Sequence, residues 1–94
     1  MYEWDETKRE ANLLKHGLDF DDADLVYGNL NRITFAEICR GEQRWRDIVR
    51  VGSSDVVLTL VYTIRGYNVR IISFRKASRK ERRIYDYLRP AKQN

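Results

Sequence analysis

Apolar residues recur along this chain with two different periods. In the first 27 residues they are sparse and spaced for helices; from Arg32 onward they alternate, as in strands. Tyr2 to Trp4 is too short for anything but an edge strand. Asp5 is a good N-cap for a helix over Glu6–His16, with Ala11, Leu14 and Trp4 turned toward the core. Gly17 stands where a left-handed residue ends such a helix. Asp19 caps a second short helix whose apolar stripe is Phe20, Ala23 and Val26 or Tyr27, and Gly28–Asn31 reads as a turn.

The alternating part predicts four strands. Arg32–Cys39 is the first, with Ile33, Phe35 and Cys39 unevenly distributed. Trp45–Val51 is the second, with Trp45, Val49 and Val51 on one side. After the turn Gly52–Asp55 comes Val56–Ile64, apolar on both faces and therefore a central strand. Arg65–Asn68 is a hairpin loop, from which Val69–Arg75 returns. The last helix runs from Ser78 to Leu88 and buries Ile84, Leu88 and Tyr87, and Pro90 stops it. Residues 91–94 are expected to fray. Helices and consecutive strands are segregated, so the fold class is α+β with a small, mainly antiparallel sheet, two N-terminal helices and one C-terminal helix. A chain of 94 residues is one domain, 1–94, with no visible repeat or linker.

Composition sharpens this picture. With 43% apolar residues the chain should be globular, and no apolar run approaches the ~18 residues of a membrane span. No signal peptide is visible. The single cysteine, Cys39, cannot form an internal disulfide, which fits a reducing cytoplasm. The net charge of +4 conceals an asymmetry: residues 1–27 carry −5 and the remainder +9. The basic part suits phosphates, whose contacts dominate nucleic-acid affinity; the acidic part repels them.

The basic charge is densest from Arg70 to Leu88. A strand carrying Ile71, Ile72 and Phe74 feeds a helix opened by Ser78 and Glu81, the S-x-x-E capping box. Around that junction stand Arg70, Arg75, Lys76, Arg79, Lys80, Arg82 and Arg83. Cations held by a strand and a capped helix form an ordered anion site, and RNA or DNA is the obvious polyanion.

Three separated motifs resemble the BrnT toxins. The first is Glu3-Trp4-Asp5 with Lys8, Asn12, Lys15-His16-Gly17, Phe20 and Ala23. The second is Arg44-Trp45 before a strand. The third is Arg70-Ile71-Ile72-Ser73 continuing to Arg75, Ala77, Arg79, Glu81-Arg82 and Tyr85. Two departures stand out: Phe74 sits where the family commonly has a small residue, and Asn29–Gly41 shows no alignable motif. The resemblance implies a RelE-like toxin fold and a ribonuclease acting within a type II toxin–antitoxin pair. It also implies a BrnA-like partner, an antitoxin that joins a toxin-covering region to a ribbon-helix-helix part. Promoter DNA would be bound only through that complex.

No metal or cofactor is expected. One His, one Cys and scattered carboxylates supply no recognisable ligand spacing, and there is no Gly-rich phosphate loop and no Ser-His-Asp arrangement. What remains is RNA cleavage by the ribose 2′-hydroxyl, which needs a base, an acid and cations for the phosphorane charge. Four residues are candidates for catalysis: His16, Arg75, Arg82 and Tyr85. His16 is an imidazole, suited to proton transfer, or else a structural partner of the last-turn carbonyls. Arg75 is a candidate for stabilising phosphate. Arg70 and Arg75 have opposite strand parity and share a face only if a bulge intervenes. Tyr85, one helical turn after Arg82, stacks on a base, donates a proton or packs in the core. Lys15, Arg44, Arg70, Lys76 and Arg79 are the RNA-binding candidates. Arg70 can equally pair with an N-terminal acid, and Glu81 is most simply the capping partner or else a general base. A non-catalytic nucleic-acid-binding or co-repressor module, or an inactive toxin relic, is the alternative reading.

Overall fold

A computed structural model describes residues 1–90; the expectation for 91–94 falls outside them. The elements are β1 (Tyr2–Glu3), α1 (Glu6–His16), a 3₁₀ turn (Phe20–Asp22), α2 (Asp24–Tyr27), β2 (Ile33–Cys39), β3 (Glu42–Arg50), β4 (Val57–Arg65), β5 (Asn68–Lys76) and α3 (Arg79–Leu88). The class is α+β. One five-stranded sheet has the order β1-β5-β4-β3-β2, antiparallel throughout except that β1 pairs parallel with β5. The strand with two apolar faces, β4, is its centre.

β3 begins three residues before the expected Trp45. Arg40 and Gly41 both adopt positive φ, 52° and 79°, and join β2 to β3 as a two-residue turn. Such a turn matches the right-handed twist of the strands and brings Cys39 against Glu42, so the ladder starts at once.

The register divides the sheet into two chemically distinct faces, because directly opposed residues point the same way. Trp45, Asp47 and Val49 oppose Tyr62, Leu60 and Leu58, and Leu60 and Tyr62 in turn oppose Phe74 and Ile71. This face carries the core. Phe20, Ala23 and Val26 seal it from the short helical segments, together with Leu60, Phe74 and Val49, all fully buried. Each large apolar side chain so buried contributes about 1.5–3 kcal/mol. Trp4 packs edge-on to Phe20, and Tyr27 edge-on to Tyr62 at 5.2 Å between ring centroids.

Within that face sits a carboxylate. Asp47 is fully buried and accepts hydrogen bonds from Thr34 Oγ1 (2.7 Å) and the Tyr62 hydroxyl (3.1 Å), with Arg32 Nε 3.2 Å from its other oxygen. Burial pushes its carboxyl above the ordinary range, against the pull of those three partners. Asp47 ties β2, β3 and β4 together near the start of β2.

α1 departs from its expected packing. Ala11 and Leu14 face solvent, Leu14 being 92% exposed, and the helix has no buried residue. It is held by polar contacts instead. Arg9 grips Asp19 through two nitrogens, at 2.7 and 2.9 Å. Asn12 donates to the carbonyl of Phe74 (2.8 Å) and accepts from its amide (3.2 Å). β1 covers β5 only at Val69 and Arg70, so the outward backbone groups of Phe74 have no neighbouring strand; the Asn12 amide stands in for one. Asn12→Ala should therefore destabilise the fold by about 2–3 kcal/mol, since it strands a buried donor and acceptor. A drop in urea midpoint at unchanged slope checks this.

α3 likewise differs. Ser78 is the N-cap and the capping box is present, but Tyr87 and Leu88 are exposed and Ile84 only half-buried; the buried residues are Glu81 and Tyr85. The helix turns its i, i+4 pair of Glu81 and Tyr85 to the sheet because cations on the strands meet the carboxylate there.

Candidate active site

The second sheet face is where the arginines are. Arg46 and Ile48 of β3 oppose Val61 and Thr59 of β4, which oppose Ser73 and Arg75 of β5. A bulge intervenes: Val61 pairs with Ser73 but Tyr62 with Ile71, leaving Ile72 as the extra residue. The slip reverses parity along β5. Arg70 opposite Thr63 and Arg75 opposite Thr59 therefore stand on one face.

Glu81 reaches down from the first turn of α3 onto this face and is 3% exposed. It accepts from the Ser78 amide at 2.8 Å, closing the capping box. The same carboxylate accepts from Arg75 Nη1 and Nη2 (2.7 and 3.0 Å), Arg46 Nη1 (2.9 Å) and Thr59 Oγ1 (3.1 Å). Burial alone would raise its pKa; the hydrogen bond and charge of Arg75, with the Ser78 and Thr59 bonds, outweigh this and hold it at about 2. A carboxylate so saturated is a clamp, not a proton acceptor near neutrality. It fixes two guanidiniums, one of them by a bidentate fork.

The other guanidiniums of the face are tethered more lightly. Arg46 also binds Glu37 Oε2 (2.6 Å), Arg44 binds Glu42 (3.3 Å) and Arg70 binds Glu3 (2.7 Å). Arg44, Arg46, Arg70 and Arg75 each keep 27–32% of the side chain exposed, enough for an anion to reach them. Phe35 projects from β2 directly opposite Arg46, 36% exposed.

The remaining candidates lie outside this row. Tyr85 is 4% exposed and belongs to the core, so its ring is closed to a stacking base. Arg82 is turned away, to Asp55 in the β3–β4 turn (2.5 Å) and to Asp86. Lys15 and His16 end α1, which lies along the edge of β5, and no hydrogen bond or ion pair joins them to the row among the described residues. Lys76 and Arg79 are exposed and, with Lys80 and Arg83, form a rim of cations without ion pairs among the described residues. Arg46, Glu37 and the role of Glu81 as a double clamp were missed by sequence reasoning. Parity held a signal: Arg44, Arg46 and Arg50 share the face of one strand opposite Trp45 and Val49. No group of three or more His, Cys, Asp or Glu side chains among the described residues converges as metal ligands do.

A small sheet with one face sealed by helices and the other bearing carboxylate-anchored guanidiniums defines a class, the basic α+β domain with its cations gathered on one sheet face. The family described as the ribonuclease toxin BrnT of type II toxin–antitoxin systems matches residues 4–81, and the chain belongs to that family. The match takes in Glu37, Arg44, Arg46, Arg70, Arg75 and Glu81, and ends before Arg82 and Tyr85. No individually curated protein matches the chain. Membership carries RNA as the substrate class and an antitoxin as partner. No helix among the described residues is long and apolar enough to cross a membrane.

Proposed function

We propose that the sheet face bearing Arg44, Arg46, Arg70 and Arg75 is the RNA-cleaving surface of a metal-independent endoribonuclease. The observation that carries this reading is the clamp: Glu81 holds Arg46 and Arg75 in fixed orientation on one open face. Donors oriented before the reaction stabilise developing charge without reorganising during it. The scissile phosphate lies over Arg46 and Arg75, the 2′-oxygen attacks phosphorus, the 5′-oxygen leaves, and a 2′,3′-cyclic phosphate and a 5′-hydroxyl result. The guanidiniums neutralise the charge that gathers on the non-bridging oxygens. The unpaired rim of Lys76, Arg79, Lys80 and Arg83 takes the flanking phosphates, a contact that weakens as salt rises.

The partner in this reading is a BrnA-like antitoxin with a ribbon-helix-helix DNA-reading part, which covers the same face. Promoter DNA is bound through the complex, and the cytoplasm is the compartment where RNA and antitoxin meet the chain.

The test is chemical. Cleavage should persist in excess EDTA, and a substrate with a single 2′-deoxy residue at the cut should resist by at least ~10³-fold, because its nucleophile is gone. Cleavage lost on chelation and restored by a divalent ion would overturn the metal-independent reading. RNA bound at the row but never cut would favour the non-catalytic binding module.

A further inference from the structure

We propose that Glu37 is the proton acceptor of the cleavage reaction, freed toward the 2′-hydroxyl when a substrate phosphate takes over its share of Arg46. The inference rests on the reading above. Four carboxylates border the guanidinium row: Glu3, Glu37, Glu42 and Glu81. Glu81 is buried and saturated. Glu3 has Asn68 on one oxygen and Arg70 on the other. Glu42 is shared between Arg44 and Arg65. Only Glu37 keeps an oxygen, Oε1, with no donor among the described residues, and 37% of its side chain is exposed.

Its one tether is the residue a phosphate competes for. Arg46 Nη2 binds Glu37 while Nη1 stays on Glu81. A phosphate oxygen that displaces Glu37 from Nη2 leaves Arg46 anchored by Glu81. It also leaves a free carboxylate beside the bound phosphate, within reach of the adjoining ribose. The charged groups around Glu37 are Arg44, directly across the ladder, and Arg46 from β3, Glu81 of α3 through Arg46, and Arg75 of β5, which feels its charge.

The protons balance. Glu37 takes the 2′-hydroxyl proton as the O2′–P bond forms and the P–O5′ bond breaks. The leaving O5′ takes a proton from water, and the hydroxide so formed is neutralised by the proton on Glu37, restoring the carboxylate.

The test is steady-state cleavage by the full chain and its Glu37→Gln variant across pH, with RNA affinity and urea stability measured alongside. Gln keeps an oxygen for Arg46 and removes the basicity together with the charge. The expected result is a kcat lowered about 10²–10⁴-fold, affinity equal or tighter because a negative charge has left the phosphate site, unchanged stability, and loss of the acid limb of the wild-type kcat profile. Glu37→Asp should recover part of the rate. A Gln variant that cleaves like wild type overturns the assignment and leaves the proposed surface standing. So does one whose rate falls with stability while its acid limb persists, since that marks a structural role. A wild-type chain inert toward RNA overturns both.

Discussion

Replacing Glu81 with glutamine should unfold much of what it holds. The substitution leaves Arg46 and Arg75, each about a third exposed, against a neutral amide that can accept only part of their donors and turns its own NH₂ on a guanidinium. Breaking a buried ion pair by neutralising one partner costs about 3–5 kcal/mol, a large share of the ~5–15 kcal/mol that holds a small domain together. The pH dependence gives an independent measure. The Glu81 carboxyl sits at about 2 in the folded chain and near the ordinary ~4.3 when unfolded. A depressed folded pKa means the stabilisation is full above the unfolded value and fades as pH falls through the folded one. Wild type should thus lose about 3 kcal/mol relative to Glu81→Gln between roughly pH 5 and 2. Urea titrations of both chains at several pH values read this difference. Equal stabilities at neutral pH, or parallel acid limbs, would show that the clamp is not structural.

Why the sequence reading found the sheet but misplaced two helix faces follows from what holds each element. β4 alternates two apolar sets and packs on both sides, so its pattern is its environment. The core face of β3 was legible through Trp45 and Val49, yet Asp47 stands between them, fully buried. A period-two stripe does not reveal a carboxylate that brings Arg32, Thr34 and Tyr62 with it. α1 was assigned Ala11 and Leu14 because helices are expected to bury an apolar stripe; it docks through Arg9 and Asn12, whose partners lie 10 and 62 residues away. In α3 the capping box at Ser78 and Glu81 was correct as local chemistry. The same carboxylate also has three donors on the strands, two of them 22 and 35 residues away, which pull the Glu81 side of the helix onto the sheet and leave Tyr87 and Leu88 outside.

The site was half-legible for a related reason. Charge density marks Arg75 as a catalytic candidate and Arg70 as an RNA-binding one, and strand parity lets them share a face only through a bulge, which the ladder contains. Its position at Ile72 is marked by no glycine or proline, and it is set by the pairing of β5 with β4, which appears only in the ladder. Arg46 and Glu37 were lost because an arginine and a glutamate in alternating strands look like solvated positions. What makes them a site is Glu81, 35 residues beyond Arg46.

Truncating Arg75 should therefore separate the sheet-face site from the helix surface. Arg75 presents both terminal nitrogens to Glu81 while 28% of its side chain faces the open sheet. Arg75→Ala removes a pre-oriented donor from the phosphate position, and loss of one such donor typically lowers the rate about 10²–10³-fold. Lysine should not rescue it: a single ammonium cannot reproduce the planar fork that Glu81 grips, so orientation is lost though charge is kept. Arg82 is the internal control. It carries the same charge one turn of helix away from Ser78, but its guanidinium is spent on Asp55 and Asp86 beyond the end of the sheet. Arg82→Ala should leave cleavage within a few-fold of wild type and, induced alone in cells, still arrest growth, whereas Arg75→Ala at matched expression should not. Cleavage assays of the two folded variants decide the matter. If Arg82→Ala is the crippled one and Arg75→Ala is not, the phosphate binds along the outer side of α3, and the carboxylate clamp serves only to hold that helix to the sheet.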